Sequence, residues 1–346
     1  MRRMTRPPPC WENALPGPMV SQNTDQRGEQ QVSVNPDLHK RMTLRAITSV
    51  GAFAAASAAL GHAALSNVGA SEGRIETLGS WASKGLAPRR IQVWLPSDFS
   101  EDRTYDTLYM HDGQMLFDPS KTWNRKAWEV DRIASMLLSG AGSRGFLIVG
   151  IDNDPTRRHA EFFPEAALAN LQPVQLRKTF IERALGDRPA ADDYLRFIVD
   201  TVKPAIDRRF PTNPERESTC IMGSSMGGLI SLYAACEYPH IFGGVAALST
   251  HWIGTHERNT EIPTALNTYL RQKLPPTGAT RIYMDRGTRD LDALYDSAQN
   301  DVDALLRERG YREPDFVTRV YDDAGHDEEA WGARVAVPLK FLFGRH

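Results

Sequence analysis

Thr219-Cys-Ile-Met-Gly-Ser-Ser-Met-Gly-Gly228 is the stretch that decides the fold, and it contains Gly223-x-Ser225-x-Gly227. A short apolar run enters a turn of small residues, and the apolar helix Leu229-Ile-Ser-Leu-Tyr-Ala-Ala-Cys236 follows. Strand, tight turn and helix in that order are the setting a nucleophile elbow requires. The glycines flank a serine held in a strained backbone conformation, at positions where side chains would collide with neighbouring backbone. Ser225 then stands at the positive end of the helix with its hydroxyl exposed, and the Met226 N–H points at the same space. A bare G-x-S-x-G arises by chance. The flanking strand and helix and the Gly227-Gly228 exit separate this one from a glycine-rich structural turn.

Working outward, short apolar runs end repeatedly in polar or glycine turns, as buried strands do: 90–95, 107–111, 146–151, 245–248, 281–284 and 316–320. Helical spacing appears between them, over 128–138 and over 193–210, where Tyr194, Phe197, Ile198, Val202 and Ile206 share a face. Alternating strands and helices predict an α/β fold, a mostly parallel central sheet with helices on both faces. Ligands in such sheets bind at the C-terminal strand ends. Residues 153–190 interrupt the rhythm with Arg157, Arg158, His159, Phe162, Phe163 and a helical piece around 174–185. This segment is too polar to be core throughout, and reads as an insertion beside the site, a cap or substrate wall; a surface excursion without a role is the alternative.

A serine nucleophile needs a base, and the base needs an orienting acid. Five of the 9 histidines lie downstream of Ser225: His240, His251, His256, His326 and His346. His326 follows the last strand in Asp322-Asp-Ala-Gly-His-Asp-Glu328, where a loop can swing it over the sheet, so it is the expected base. His251, at another strand end, is an expected pocket residue. After the strand at 281–284, Asp285-Arg-Gly-Thr-Arg-Asp-Leu-Asp292 offers three acids. Asp285 is nearest the strand and suits a turn cap, whereas Asp290 and Asp292 both lie beyond the Gly287 turn and can reach back to His326. One of the pair suits the N-cap of a helix over 293–307. A second oxyanion donor should come from the loop after an early strand. Tyr109-Met-His-Asp-Gly-Gln-Met115 fits: Gly113 lets the chain turn, so that the Gln114 N–H faces Ser225 beside that of Met226. A metal pair at His111 and Asp112 is the competing reading, but no third ligand is in view; both are expected to line the substrate site instead. No metal and no cofactor is called for.

Composition narrows the rest. Hydrophobic residues at 41% and charged residues at 24% describe an ordinary globular chain, and a formal charge of −2 gives nucleic acid nothing to bind. No uninterrupted apolar run is long enough for a confident membrane span. Residues 1–38 are polar and aperiodic, with Pro7-Pro-Pro9, and read as a disordered or over-extended start. Residues 39–70 combine a basic cluster, His39-Lys-Arg-Met-Thr-Leu-Arg45, with an alanine-rich apolar core and small-residue sites such as Val68-Gly-Ala70, the pattern of an export signal. The expected catalytic domain is therefore 71–346, and the expected location periplasmic or secreted. Cys10 would leave with the signal, and Cys220 and Cys236 sit in apolar stretches as buried thiols rather than a disulfide framework.

Three motifs together, Met110-His-Asp-Gly-Gln-Met-Leu-Phe-Asp118, Gly223-Ser-Ser-Met-Gly-Gly-Leu-Ile-Ser-Leu-Tyr233 and Gly325-His-Asp-Glu-Glu-Ala-Trp331, resemble the putative esterase family of α/β-hydrolases. That family includes enterochelin, feruloyl and acetyl-xylan esterases, esterase D and the mycolyltransferase antigens. The likeness runs over about 89–343. It implies a metal-independent Ser-His-Asp hydrolase acting on a small-molecule carboxylic ester, with Ser225 as nucleophile, His326 as base and Gln114 and Met226 as oxyanion donors. Close bacterial relatives read Asp-x-Gly-Thr-x-x-Leu-Asp-Ala in the acid segment, which favours Asp292; other branches place the acid at the position of Asp290. Acyl transfer, as in the mycolyltransferases, is the runner-up, and a non-catalytic binding protein the remote alternative. Trp123, Trp128, Trp252 and Trp331 fall near strand-end loops, where Trp123 and Trp252 are expected to offer faces to a sugar or an aromatic acid. Arg157 and Arg158 are expected either to meet an acidic substrate or to be merely solvated.

Overall fold

The computed structural model describes residues 73–345, apart from 141 and 187. The expectations for 1–38 and 39–70, for Cys10 and for His346 lie outside the described residues.

Eight strands form one sheet: β1 Arg74–Ser83, β2 Leu86–Leu95, β3 Asp106–Met110, β4 Phe146–Ile151, β5 Thr219–Ser224, β6 Gly244–Leu248, β7 Arg281–Arg286 and β8 Phe316–Val320. Their order is β1-β2-β4-β3-β5-β6-β7-β8. From β4 to β8 every neighbouring pair is parallel, while β1 and β2 pair antiparallel at one edge. The expectation of a mostly parallel sheet holds. Strands β3 to β6 are buried at every position, which is why they read as continuous apolar runs rather than alternating ones. β1 escaped the sequence reading because its burial alternates weakly, with most positions exposed.

The helices are α1 Val130–Ser139, α2 Arg158–Phe162, α3 Val174–Ala184, α4 Ala191–Arg196, α5 Lys203–Arg209, α6 Met226–Glu237, α7 Glu261–Lys273, α8 Asp296–Glu308, α9 Glu328–Arg334 and α10 Ala336–Phe343. They cover both faces, and two hydrophobic clusters separate accordingly. One holds Tyr109, Val149, Ile221, Leu229 and Val245; the other holds Leu108, Ile148, Met222, Ala246 and Leu339. Adjacent strand residues thus enter opposite cores, as the period of two requires.

Two expectations change. The helix expected over 193–210 is interrupted by a π-helical turn, Phe197–Val202, between α4 and α5. Pro204 explains it: proline has no N–H to give the carbonyl four residues back, and its ring crowds that carbonyl, so the turn widens. The insertion is also more apolar inside than its composition suggests. Phe162, Phe163, Leu168, Leu171, Phe180 and Leu185 all join the larger cluster, and α2 packs against α6. Of its charges, Glu161 is buried in a salt bridge with Arg89 at 2.7 Å, and Arg158 enters the site itself.

Candidate active site

β5 delivers Ser225 into a left-handed conformation, φ 57 and ψ −122, immediately before α6. Such a conformation costs a non-glycine residue about 1–3 kcal/mol and survives only when its surroundings fix it. Here they do: the Ser225 N–H donates to the Leu248 carbonyl at 2.9 Å, and the Ser225 carbonyl accepts from Gly228 at 3.0 Å and His251 at 3.1 Å. The expected collision occurs at Gly223, where a Cβ would stand 2.8 Å from the Gly227 backbone. At Gly227 it does not. A Cβ there would meet Asp112 Oδ2 at 3.5 Å and His111 Cβ at 3.6 Å, so this glycine leaves room for the β3 loop.

On one side of Ser225, the loop after β8 carries His326, whose Nδ1 lies 2.5 Å from Asp292 Oδ1. Asp292 is fully buried, and its other oxygen accepts from the Gly287 N–H at 2.5 Å and the Ser249 hydroxyl at 2.6 Å. Ser249 in turn accepts from Trp331 Nε1 at 3.0 Å and Arg334 at 2.8 Å. A carboxylate so bonded is fixed in orientation, and it fixes the imidazole. Trp331 also packs edge-on to the His326 ring, 5.1 Å between centroids. Asp327 caps α9 through the Ala330 N–H and pairs with Lys126, which anchors the loop one residue beyond His326. Of the three acids offered by the sequence, Asp292 meets His326. Asp290 has positive φ and points toward Gly325, and Asp285 is buried against Arg334.

The β3 loop carries a half-buried ion pair. Arg158, at the start of α2, donates from Nε to Asp112 Oδ1 at 2.8 Å and from its terminal amine to Oδ2 at 2.7 Å, while Asn153 adds a third bond to Asp112 at 2.5 Å. Burial raises the Asp112 pKa, but the Arg158 charge and these bonds outweigh it and hold the carboxyl below its ordinary value. Asp112 therefore works as the anchor of Arg158 rather than as an open substrate contact. Arg158 is half-buried and bound at two points rather than merely solvated, and its charge bears on Tyr295 and His251. Arg157 differs, since it is spent on the backbone carbonyls of Leu185, Gly186 and Arg188.

His111 is buried, with Nδ1 2.8 Å from the Tyr194 hydroxyl, and desolvation lowers its pKa to about 3. It is a neutral wall residue tied to α4, not a surface for substrate. Trp252 is 1% exposed and gives its Nε1–H to Gln299 at 2.9 Å, which leaves an aromatic ligand no face to stack on. Trp123 is 76% exposed, and its neighbour Asn124 bonds Glu328 beside the His326 loop. The Gln114 N–H lies in a 3-10 turn, Gly113–Met115, whose own bonds use Met115 and Leu116 as donors. The Met226 N–H is likewise among the first N–H groups of α6, which helix bonding leaves open. Cys220 and Cys236 are free, and burial pushes both thiols up to about 12. Among the described residues no group of His, Cys, Asp and Glu is arranged to hold a metal, and no helix is long and apolar enough to cross a membrane.

Sequence reasoning missed Tyr295, which sits fully buried between His326 and His251. Its hydroxyl is 2.6 Å from His251 Nδ1, and the His251 backbone N–H donates to the Ser225 carbonyl. The only available signal was its spacing three residues after Asp292, one helical turn away.

Residues 86–342 match the sequence model of the family described as Putative esterase. The uncharacterized protein YbbA of Bacillus subtilis is 23% identical over 276 residues, covering 78% of this chain and 98% of its own. The siderophore triacetylfusarinine C esterase of Aspergillus fumigatus is 31% identical over 163 residues, 45% of this chain and 48% of its own. Among solved structures, the enterobactin esterase of Shigella flexneri superposes with a TM-score of 0.58 at 20% identity, covering 79% of this chain, which spans 60% of that enzyme's length. A ferulic acid esterase of Anaeromyces mucronatus gives 0.53 at 17% identity, covering 77% of this chain and 89% of its own. The chain belongs to the putative esterase family, and is a carboxylic ester hydrolase built on the α/β-hydrolase fold.

Proposed function

We propose that the chain cleaves a carboxylic ester through an acyl-enzyme on Ser225. The observations that carry this reading are the strained Ser225 at the head of α6 and, at the end of β8, a histidine already oriented by a buried, fully bonded carboxylate. His326 takes the Ser225 proton as Oγ attacks the ester carbonyl, and Asp292 holds the resulting imidazolium. The alcohol departs with the proton from His326. Water, deprotonated by the same ring, then attacks the acyl-enzyme and frees the serine.

The negative charge that develops on the carbonyl oxygen needs fixed donors. The N–H groups of Met226 and Gln114 fit that task, at the N-terminus of α6 and in the loop packed on Gly227. Arg158 adds a fixed cation, because its charge already bears on the residues around Ser225. Held at two points by Asp112, it needs no reorganisation when the oxyanion forms.

For the substrate we favour a siderophore, aromatic or sugar-linked ester. Support comes from the siderophore, enterobactin and ferulic acid esterases among the similar proteins, and from Trp123, an exposed indole at the rim. Export to the periplasm or medium rests on the composition of 39–70.

Hydrolysis of p-nitrophenyl acetate and butyrate by the parent and by Ser225→Ala tests the reaction. Turnover that disappears in the variant supports it, and equal turnover in both excludes it. A screen of trilactone, hydroxamate-linked, feruloyl and acetyl-sugar esters then ranks substrates by kcat/KM, with Trp123→Ala expected to raise KM for the aromatic acid most.

A further inference from the structure

β3 and β4 are neighbours in the sheet, with Met110 paired to Gly150, so the segments that leave them emerge side by side. The β3 segment presses on the tip of β4. A Cβ on Gly113 would stand 2.7 Å from the Ile151 nitrogen and 2.8 Å from the Gly150 carbonyl carbon, which leaves room only for glycine. Asp112, just before it, sits at φ 56 and ψ 44, a left-handed conformation that persists in a non-glycine residue only when its surroundings fix it. Asn153, two residues past the end of β4, grips both flanks of Gly113. Its backbone N–H donates to Gln114 Oε1 at 3.1 Å, and its Nδ2 donates to Asp112 Oδ1 at 2.5 Å. The Gly113–Gln114 peptide, whose N–H is the oxyanion donor of the proposed reaction, therefore lies between two side chains held by one residue. Asn153 Oδ1 is buried without a partner, so this amide serves through what it donates.

We infer that Asn153 is a positioning residue for the oxyanion site, holding the Gln114 N–H on aim by clamping the side chains on either side of Gly113. This rests on Ser225 as nucleophile and on the Gln114 N–H as oxyanion donor. A donor favours the transition state only if it already points to where the charge will appear, because turning a peptide during the reaction would cancel the benefit. The sheet cannot aim this peptide, which lies beyond β3, and the 3-10 turn that contains it spans only Gly113–Met115. Arg158 bonds Asp112 and so fixes one flank of Gly113. Asn153 ties both flanks to β4. β3 lies between β4 and β5, the strand that delivers the nucleophile, so the clamp sets the donor against Ser225 through three adjacent strands.

Two variants cut the clamp from opposite ends. Asn153→Ala removes the grip on Asp112, and Gln114→Met removes the acceptor for the Asn153 N–H at nearly constant volume while keeping the backbone donor. With p-nitrophenyl butyrate, each folded variant should lose about ten- to a hundredfold in kcat with KM little changed, because the oxyanion exists in the transition state and not in the bound ester. The double variant should fall no more than about threefold below the slower single one, since both changes break one clamp. A trifluoromethyl ketone supplies a readout that a loss of packing would not move. Ser225 Oγ adds to its carbonyl carbon, the carbonyl electron pair moves to the oxygen and the serine proton passes to His326, so the adduct carries the oxyanion itself. Its Ki should rise by the factor by which kcat/KM falls, while the Ki of the alcohol of the same skeleton, which forms no adduct, stays level. Unchanged kcat in a folded Asn153→Ala overturns the inference. So does a loss carried by KM alone, an unmoved Ki for the ketone, or single losses that multiply in the double variant. If Asn153→Ala does not fold, the first three results in Gln114→Met decide in the same way. A parent that neither labels with a fluorophosphonate nor turns over defeats the nucleophile reading itself, which keeps the two failures apart.

Discussion

Two buried carboxylates flank the candidate nucleophile and do different work with the same device. Asp292 uses one oxygen to orient His326 and the other to accept from Gly287 and Ser249. Asp112 uses both oxygens to orient Arg158 and is steadied by Asn153. A saturated carboxylate is a rigid post in either case. What differs is the group on the post. Imidazole exchanges a proton within the working pH range, whereas guanidinium never does. One side of the site is thus suited to moving protons and the other to holding charge.

The contrast can be attacked in order of expected effect. Asp292→Asn should cost most, about 10³- to 10⁴-fold in kcat, because an amide can turn its N–H toward His326 Nδ1 and impose the wrong tautomer. Steady-state rates with melting curves check this, and a loss below tenfold would show that Asp292 is packing. Arg158→Met should lower kcat by about 10²-fold, by the same factor at acidic and at alkaline pH, since a permanent cation has no titration to contribute. A loss confined to one end of the pH profile would break the division of labour. Arg158→Lys should recover little of that rate, because a point charge cannot make the two-point contact with Asp112. Recovery to within a few-fold would mean that charge alone suffices.

The smallest effect concerns stability. Desolvation lowers the His111 pKa from 6.5 to about 3, so the folded form stays neutral while the unfolded chain takes up a proton. Above pH 6.5 both states are neutral and the group contributes no slope. As pH falls from 6.5 toward 3, the unfolded state binds more protons and stability declines, by about 1.4 kcal/mol per pH unit at most. His111→Asn should flatten denaturant midpoints measured across that window; an unchanged slope would show that other groups set it.

The legible and the hidden parts of the site differ for a physical reason. The elbow, the strand ends and His326 could be read because each is a local pattern, a few residues whose spacing matches one element. Asp292 and Asp290 were not separable by spacing alone, and a backbone angle decides between them: Asp290 takes positive φ, which turns its carboxylate to Gly325. Arg158 and Tyr295 were opaque because their meaning lies in contacts across the fold, with Asp112 46 residues away and with His251 44 residues away. In sequence, Arg158 is one more charge in a polar insertion. Trp252 failed in the opposite sense. Its place near a strand end suggested an open ring, but the Gln299 carbonyl and the α8 face claim it.

The most direct measurement is fluorophosphonate labelling of the parent and of Ser225→Ala, read by peptide mass spectrometry alongside p-nitrophenyl butyrate turnover. The account predicts one adduct, on the peptide that contains Ser225, with labelling and turnover both lost in the folded variant. Turnover that survives in Ser225→Ala, or an adduct on another residue, would contradict it.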